Sequence, residues 1–176
     1  FCADMHRGQR IAEMRGKDHV NNTLDTFMNG AVDASLAMMA FITAAGFKGL
    51  GTCPVSAVRA HPAAICELLG LPDGVFPVAG LTVGHPTDDG RFTLRLPPSV
   101  VVHHGTYDDS NLEDELRAYD ARRNKAQPMD PEKQMHKDDF GISDDYGWTE
   151  NTARRLAKRE REAFGGFIRD HGFDLE

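Results

Sequence analysis

Cysteine, tryptophan and tyrosine are scarce in this chain, at three, one and three among 176 residues. Cys2, Cys53 and Cys66 are odd in number and widely spaced, so they form neither a CxxC pair nor a disulfide framework. A reducing, cytoplasmic compartment is therefore expected. An excess of positive charge is also missing. Lys and Arg total 20 against 27 Asp and Glu, giving a net charge of -7 and a pI near 5.6, which argues against nucleic acid as the main partner. No apolar run in the sequence reaches the roughly 18 residues that span a bilayer, and no signal-peptide pattern opens it. A GxSxG elbow, a Walker loop, an HExxH helix and zinc-ligand spacing are all absent, so the usual signatures of acyl transfer, P-loop phosphate binding and metal hydrolysis are not there. No internal repeat or low-complexity tract interrupts the chain.

What is present suits one compact domain, with 40% hydrophobic residues over 176 positions. The most informative stretch is Gly49 to Pro86. Gly49 and Gly51 permit a backbone bend and close approach to a ligand. Pro62 suits the first position of a helix, and Gly70 sits where a left-handed residue ends one. A backbone turn, more than a row of reactive side chains, is the candidate functional part.

Residues 25–46 are rich in Ala, Met and Leu, with apolar residues on nearly every face from Phe27 to Ile42, and predict a long helix buried in a core or between subunits. In a domain this small, that composition predicts a homodimer with a shared core. Further elements follow in order: a helix over Pro62–Leu69, a strand over Val75–Val83, a strand over Val100–His103, and a helix to about Arg122 capped at Ser110. A final helix is expected from about Glu150 to His171, with Thr149 as its cap. Residues 124–147 are polar and lack clear periodicity, which predicts a loop or cap excursion. Helices alternating with short strands predict a mixed α and β class. The chain opens with Phe1-Cys2-Ala3-Asp4, strand-like and without an initiator Met, and is expected to be the C-terminal portion of a longer protein.

Few side chains present themselves for chemistry. His103 and His104 are adjacent, so on a strand they face opposite ways and cannot ligate one metal together. His85, before Pro86, better satisfies a turn than acts as a base. Cys53 has no partner base nearby, and no metal site is expected. In Arg91-Phe92-Thr93-Leu94-Arg95, alternation places Arg91, Thr93 and Arg95 on one edge, either to receive a phosphate or as a solvated face. Asp108, Asp109, Glu113, Asp114 and Glu115 complement the N-terminus of the following helix. Between Arg154 and Arg161 the basic residues interleave with Glu160, which reads as a solvated helix face.

The stretches GLGTCPVSAVR, ICELLGLPDGVFPVAGLTVGHP and RLPPSVVVHHGTY resemble the nitroreductase family, in the branch of NADPH-dependent FMN oxidoreductases and oxygen-insensitive nitroreductases. The opening FCAD and the closing His171-Gly172-Phe173 resemble it too. The resemblance implies an α+β, nitroreductase-like fold, with a central, mainly antiparallel sheet flanked by helices and a long helix at a homodimer interface. It implies FMN as cofactor, NADPH or NADH as co-substrate, and ping-pong transfer of hydride through the flavin N5 to a nitroaromatic, quinone or flavin. No nucleic acid or membrane partner is expected.

By position, the family's flavin-facing backbone turn falls on Pro54, Val55, Ser56 and Ala57, of which Pro54 has no N–H to donate. Its phosphate-binding Lys-Pro-Arg falls on Thr93-Leu94-Arg95, with Thr93 in place of lysine. A basic position for the NADPH phosphate falls near Arg161. The family's N-terminal phosphate motif has no counterpart here, so this segment alone is expected to bind FMN poorly. The alternatives are a non-catalytic remnant that keeps the fold and dimer surface, or a relative with different reductive chemistry.

Overall fold

A computed structural model describes the chain except for Asp89, Arg91 and Glu176. It divides into two compact units, Phe1–Asp89 with Arg161–Glu176, and Gly90–Glu160. The structure is helix-rich α+β, and all strand pairing among the described residues is antiparallel, in two two-stranded sheets.

In the first unit, β1 (Cys2–Asp4) pairs with β3 (Val75–Pro77), placing Ala3 opposite Phe76. The second sheet pairs β2 (Gly51–Val55) with β4 (Gly80–Gly84), with Cys53 opposite Thr82. The expected continuous strand over Val75–Val83 is thus two strands. The N–H groups of Val78 and Ala79 both donate to the Phe1 carbonyl, and there the chain leaves one sheet for the other. Between β1 and β2 lie α1 (His6–Met14) and α2 (Leu24–Phe47). After β2 come a 3-10 turn (Ser56–Ala60) and α3 (Pro62–Leu69). Pro62 opens α3, and Gly70 closes it at φ 61°, as the sequence predicts.

The core of this unit is apolar and aromatic. Phe76 and Ile168 are each 1% exposed, and Ala3, Cys66, Phe167 and Phe173 are buried with them. Phe27 stacks on Phe76 at 4.9 Å between ring centroids, and Phe173 meets Phe76 edge-on at 5.3 Å. Gly30 lets α2 approach β1, since a Cβ there would stand 3.0 Å from that of Ala3. Only one face of α2 is covered, along Thr26, Gly30, Ala34 and Ala45, while Met28, Val32, Leu36, Met39 and Phe41 are exposed. By length and composition α2 is also apolar enough to cross a membrane, although no stretch of the bare sequence passes as an uninterrupted apolar run.

The second unit holds α4 (Pro98–Val101), α5 (Leu112–Ala126), α6 (Lys137–Phe140) and α7 (Trp148–Leu156). The expected strand over Val100–His103 is replaced by the helical turn of α4, which Pro98 starts at its first position. Ser110 does not cap α5 with its side chain; its N–H instead donates to Asp108 Oδ1 at 2.9 Å. Glu113, Asp114 and Glu115 fill the first turn of α5, complementing its dipole.

The interior of this unit is largely polar. Arg154 is 4% exposed, and its Nε meets Glu150 Oε1 at 2.6 Å. Its Nη1 donates to the carbonyls of Gly141 at 2.7 Å and Met135 at 3.2 Å. The guanidinium also lies over the rings of Phe140 and Tyr146. Buried Gln134 exchanges two hydrogen bonds with the Ser143 backbone, and Tyr146 Oη accepts from Met135 N–H while donating to Asn151. Residues 134–147 are therefore pinned by side chains despite their lack of periodicity.

The last helix is also interrupted. α7 ends at Leu156, and α8 (Ala163–Asp170) begins after Arg161, whose φ of 56° no α-helix accommodates. Thr149 lies inside α7 and is not its cap. The Asp120 carboxylate, from α5, accepts from the N–H groups of Trp148 and Thr149 and from the Thr149 hydroxyl. Gly147 is required there, because a Cβ would collide with that carboxylate.

Candidate functional site

The residues singled out in the sequence fall into two groups, one in each unit. In the first unit, Pro54 and Val55 end β2, and Ser56 and Ala57 begin the 3-10 turn. Ladder pairing with β4 fixes Pro54 opposite Leu81 and Val55 opposite Gly80. Beyond Val55 the backbone leaves the sheet, and the leading N–H groups of a 3-10 turn have no partner within it. Ser56 and Ala57 are both exposed. The far end of the turn is anchored by Arg59, whose guanidinium donates to the Val78 carbonyl. At the near end, Arg161 Nη2 donates to Ser56 Oγ at 3.1 Å. Two residues 105 positions apart, both singled out in the sequence, are thus brought into contact.

In the second unit, Thr93 and Arg95 lie in extended, irregular chain before α4. They line a cavity of about 400 Å³ together with Leu94, Leu96, Val101, Tyr119, Arg123 and Trp148. Tyr119 is 3% exposed, donates its hydroxyl to the Leu94 carbonyl at 2.9 Å, and meets Trp148 edge-on at 5.7 Å. This fixes the Thr93–Arg95 backbone against a rigid aromatic wall. Arg91, the third residue expected on this edge, lies outside the described residues.

Arg123 is not singled out in the sequence, where the helix is expected to end at about Arg122. Its Nη1 is buried and has no hydrogen-bond partner among the described residues. Arg123 and Arg95 both line the cavity, and two guanidinium groups there suit an anion. The chemistry of two guanidinium groups, a hydroxyl and an aromatic wall fits a phosphate ester.

The remaining candidates have other employment. His103 Nδ1 accepts from the Asp108 N–H at 3.2 Å, and its ring lies against Tyr107. Hydrogen bonds from Ser110, backbone first and then side chain, hold the Asp108 carboxyl below its ordinary range. Among the described residues no three His, Cys, Asp or Glu side chains converge as metal ligands. Cys53 is exposed, whereas Cys66 is buried, and burial followed by the nearby Cys2 pushes its thiol upward.

Residues 8–85 match the model of the nitroreductase family, and residues 94–176 match that of the nitroreductase family C-terminal domain. The chain is 42% identical over 123 residues to FMN reductase [NAD(P)H] of Bacillus subtilis (strain 168), covering 68% of the chain and 49% of that relative. It is 31% identical over 174 residues to Cr(VI) reductase of Pseudomonas sp. (strain G-1), covering 99% of the chain and 68% of that relative. Among solved structures, NfrA2 of B. megaterium superimposes with a TM-score of 0.85 at 33% identity, covering all of the chain and 68% of the other.

The chain belongs to the nitroreductase family and has its α+β fold. It spans about half the length of the B. subtilis relative and about two thirds of the Pseudomonas one.

Proposed function

We propose that this chain serves an FMN-dependent NAD(P)H oxidoreductase. Membership of the nitroreductase family supports the class, as do relatives named FMN reductase and oxygen-insensitive NADPH nitroreductase. The observation that carries the reading is the cavity lined by Thr93, Arg95 and Arg123. The FMN that Val55, Ser56, Ala57, Thr93 and Arg95 would hold would supply hydride transfer between NAD(P)H and a flat, electron-poor acceptor such as a quinone, nitroaromatic or flavin.

The protein's own task is to bind and orient. Arg95 and Arg123 supply two positive groups for a phosphate, and Thr93 adds a hydroxyl where the family carries lysine. The peptide N–H groups of Val55, Ser56 and Ala57 would serve as donors to the flavin ring, where fixed donors favour developing negative charge. Arg161, which the family resemblance sets near the NADPH phosphate, instead reaches Ser56 Oγ on this turn. The exposed apolar face of α2, from Met28 to Phe41, is the surface for a second copy of the chain, in keeping with a homodimer. Three free cysteines accord with a reducing, cytoplasmic setting.

A second reading rests on Thr93. With the lysine charge missing, a non-catalytic remnant that keeps the fold and dimer surface is a rival. The purified chain, and any longer protein that contains it, should be assayed for NADPH oxidation with added FMN and a quinone or nitroaromatic acceptor. Turnover that requires both FMN and acceptor is expected. Absence of turnover in every form, with no flavin retained, would establish the rival.

A further inference from the structure

Arg161 is one of two described non-glycine residues at positive φ, at 56°. Such a conformation is uncommon outside Gly, Asn and Asp and persists only where the surroundings hold it. Here three contacts do so. The Arg161 carbonyl accepts from Phe164 N–H at 2.9 Å and so opens α8. Below it, Phe167 and Ile168 of α8 are buried in the apolar core, which fixes the helix in place. The side chain then runs to Ser56, with Nη2 3.1 Å from Oγ. The left-handed backbone turns the chain at the start of α8 and allows this reach. A basic residue that merely decorated a solvated helix face would need neither the turn nor the contact.

The other end of the 3-10 turn is also held, by Arg59 on the Val78 carbonyl. Val58 packs where a Cβ on Gly80 would be only 3.1 Å away, so the β4 backbone lies close beneath. With one end and the floor fixed, Ser56 is the exposed joint of the turn, and its hydroxyl is the handle on it.

We propose that Arg161 is a positioning residue: through the Ser56 hydroxyl it sets the orientation of the Val55–Ala57 peptide N–H groups. This rests on the reading that those groups face the flavin, and it gives Arg161 a role separate from a nucleotide phosphate. Ser56 is then a specificity-setting position as well. Its hydroxyl is the only side-chain oxygen between Pro54 and Ala57, and it accepts from the Arg161 guanidinium.

The test uses Ser56→Ala, Arg161→Gln, Arg161→Lys and the Ser56→Ala/Arg161→Gln double variant of the purified protein. Amide hydrogen exchange of the peptide spanning residues 52–59 is measured without flavin, followed by FMN affinity and the ratio of KM values for NADPH and NADH. Each single variant should speed exchange and weaken FMN binding about three- to tenfold, the scale of one exposed, charge-assisted hydrogen bond. The double variant should be no worse than the worse single, since both remove the same bond. Arg161→Lys should restore part of the effect, and the NADPH-to-NADH ratio should not move.

Additive effects, or unchanged exchange in both single variants, would overturn the proposal. So would a rise in the NADPH KM alone, which would place Arg161 on the nucleotide phosphate. Coupled exchange with no FMN uptake by the wild type would uphold the Arg161–Ser56 link and defeat the flavin reading instead.

Discussion

The two units hold themselves together by different means. The unit built around Phe76 has an apolar, aromatic centre, in which Ala3, Phe76, Phe167, Ile168 and Phe173 exclude water and few polar atoms need partners. The unit of residues 90–160 closes on Arg154, Gln134, Tyr119 and Tyr146, and its order depends on matched hydrogen bonds. An apolar core tolerates substitutions that keep volume and greasiness. A polar core tolerates little, because losing one partner leaves the others buried and unsatisfied. The residues proposed to meet the flavin ring stand on the first kind of interior, and those proposed to meet phosphate on the second.

The sharpest break should come from Phe76→Ala, which empties the centre of the three-ring cluster. A loss of about 3–5 kcal/mol in unfolding free energy is expected, read from denaturant unfolding. Arg154→Ala should cost less, about 2–3 kcal/mol, because Glu150 is 36% exposed to water while two carbonyls lose their donor. Its signature is local: hydrogen exchange across residues 134–147 should accelerate, and Arg154→Lys should not rescue a site built on a planar fork. Gly147→Ala should cost about 1–3 kcal/mol by driving the Asp120 carboxylate off the start of α7. Pairing it with Asp120→Ala should remove the clash but not restore the cap.

The smallest effect concerns the cysteines. The fold raises the Cys66 thiol above its ordinary value of 9.0, chiefly by burial. A raised value means that the folded state favours the neutral thiol. Its contribution is therefore complete below about pH 9 and fades as pH climbs through the raised value. Cys66→Ala should flatten the alkaline limb of the stability profile and leave neutral pH nearly unchanged on that account. A thiol reagent at neutral pH should label exposed Cys53 quickly and Cys66 only on unfolding.

The same contrast explains how much could be read from the sequence. Pro62 and Gly70 punctuate α3 because their backbone demands are local, and α2 declares itself by length and composition. The turn at Pro54–Ala57 and the Thr93–Arg95 segment are proposed as site residues from their positions in the family resemblance. The break at Val78–Ala79 could not be read, since it depends on where the Phe1 carbonyl lies. Nor could the cap of α7, which comes from Asp120 on another helix, while Thr149 looked adequate nearby. Arg154 reads as part of a solvated helix face and Arg123 draws no reading, and only the fold shows one buried and the other lining a cavity. Polar interiors leave no periodic trace, because each member is defined by partners distant in sequence.

The central claim is that Arg95 belongs to a phosphate site and that the ligand is FMN. The most direct measurement compares FMN with riboflavin, which lacks the phosphate, in binding titrations of the wild-type protein and Arg95→Ala. The wild type should bind FMN more tightly, and Arg95→Ala should weaken FMN by about 10- to 100-fold, the scale of a charged hydrogen bond, while riboflavin affinity stays the same. Equal affinity for the two flavins in the wild type, or an equal loss for both in the variant, would contradict it.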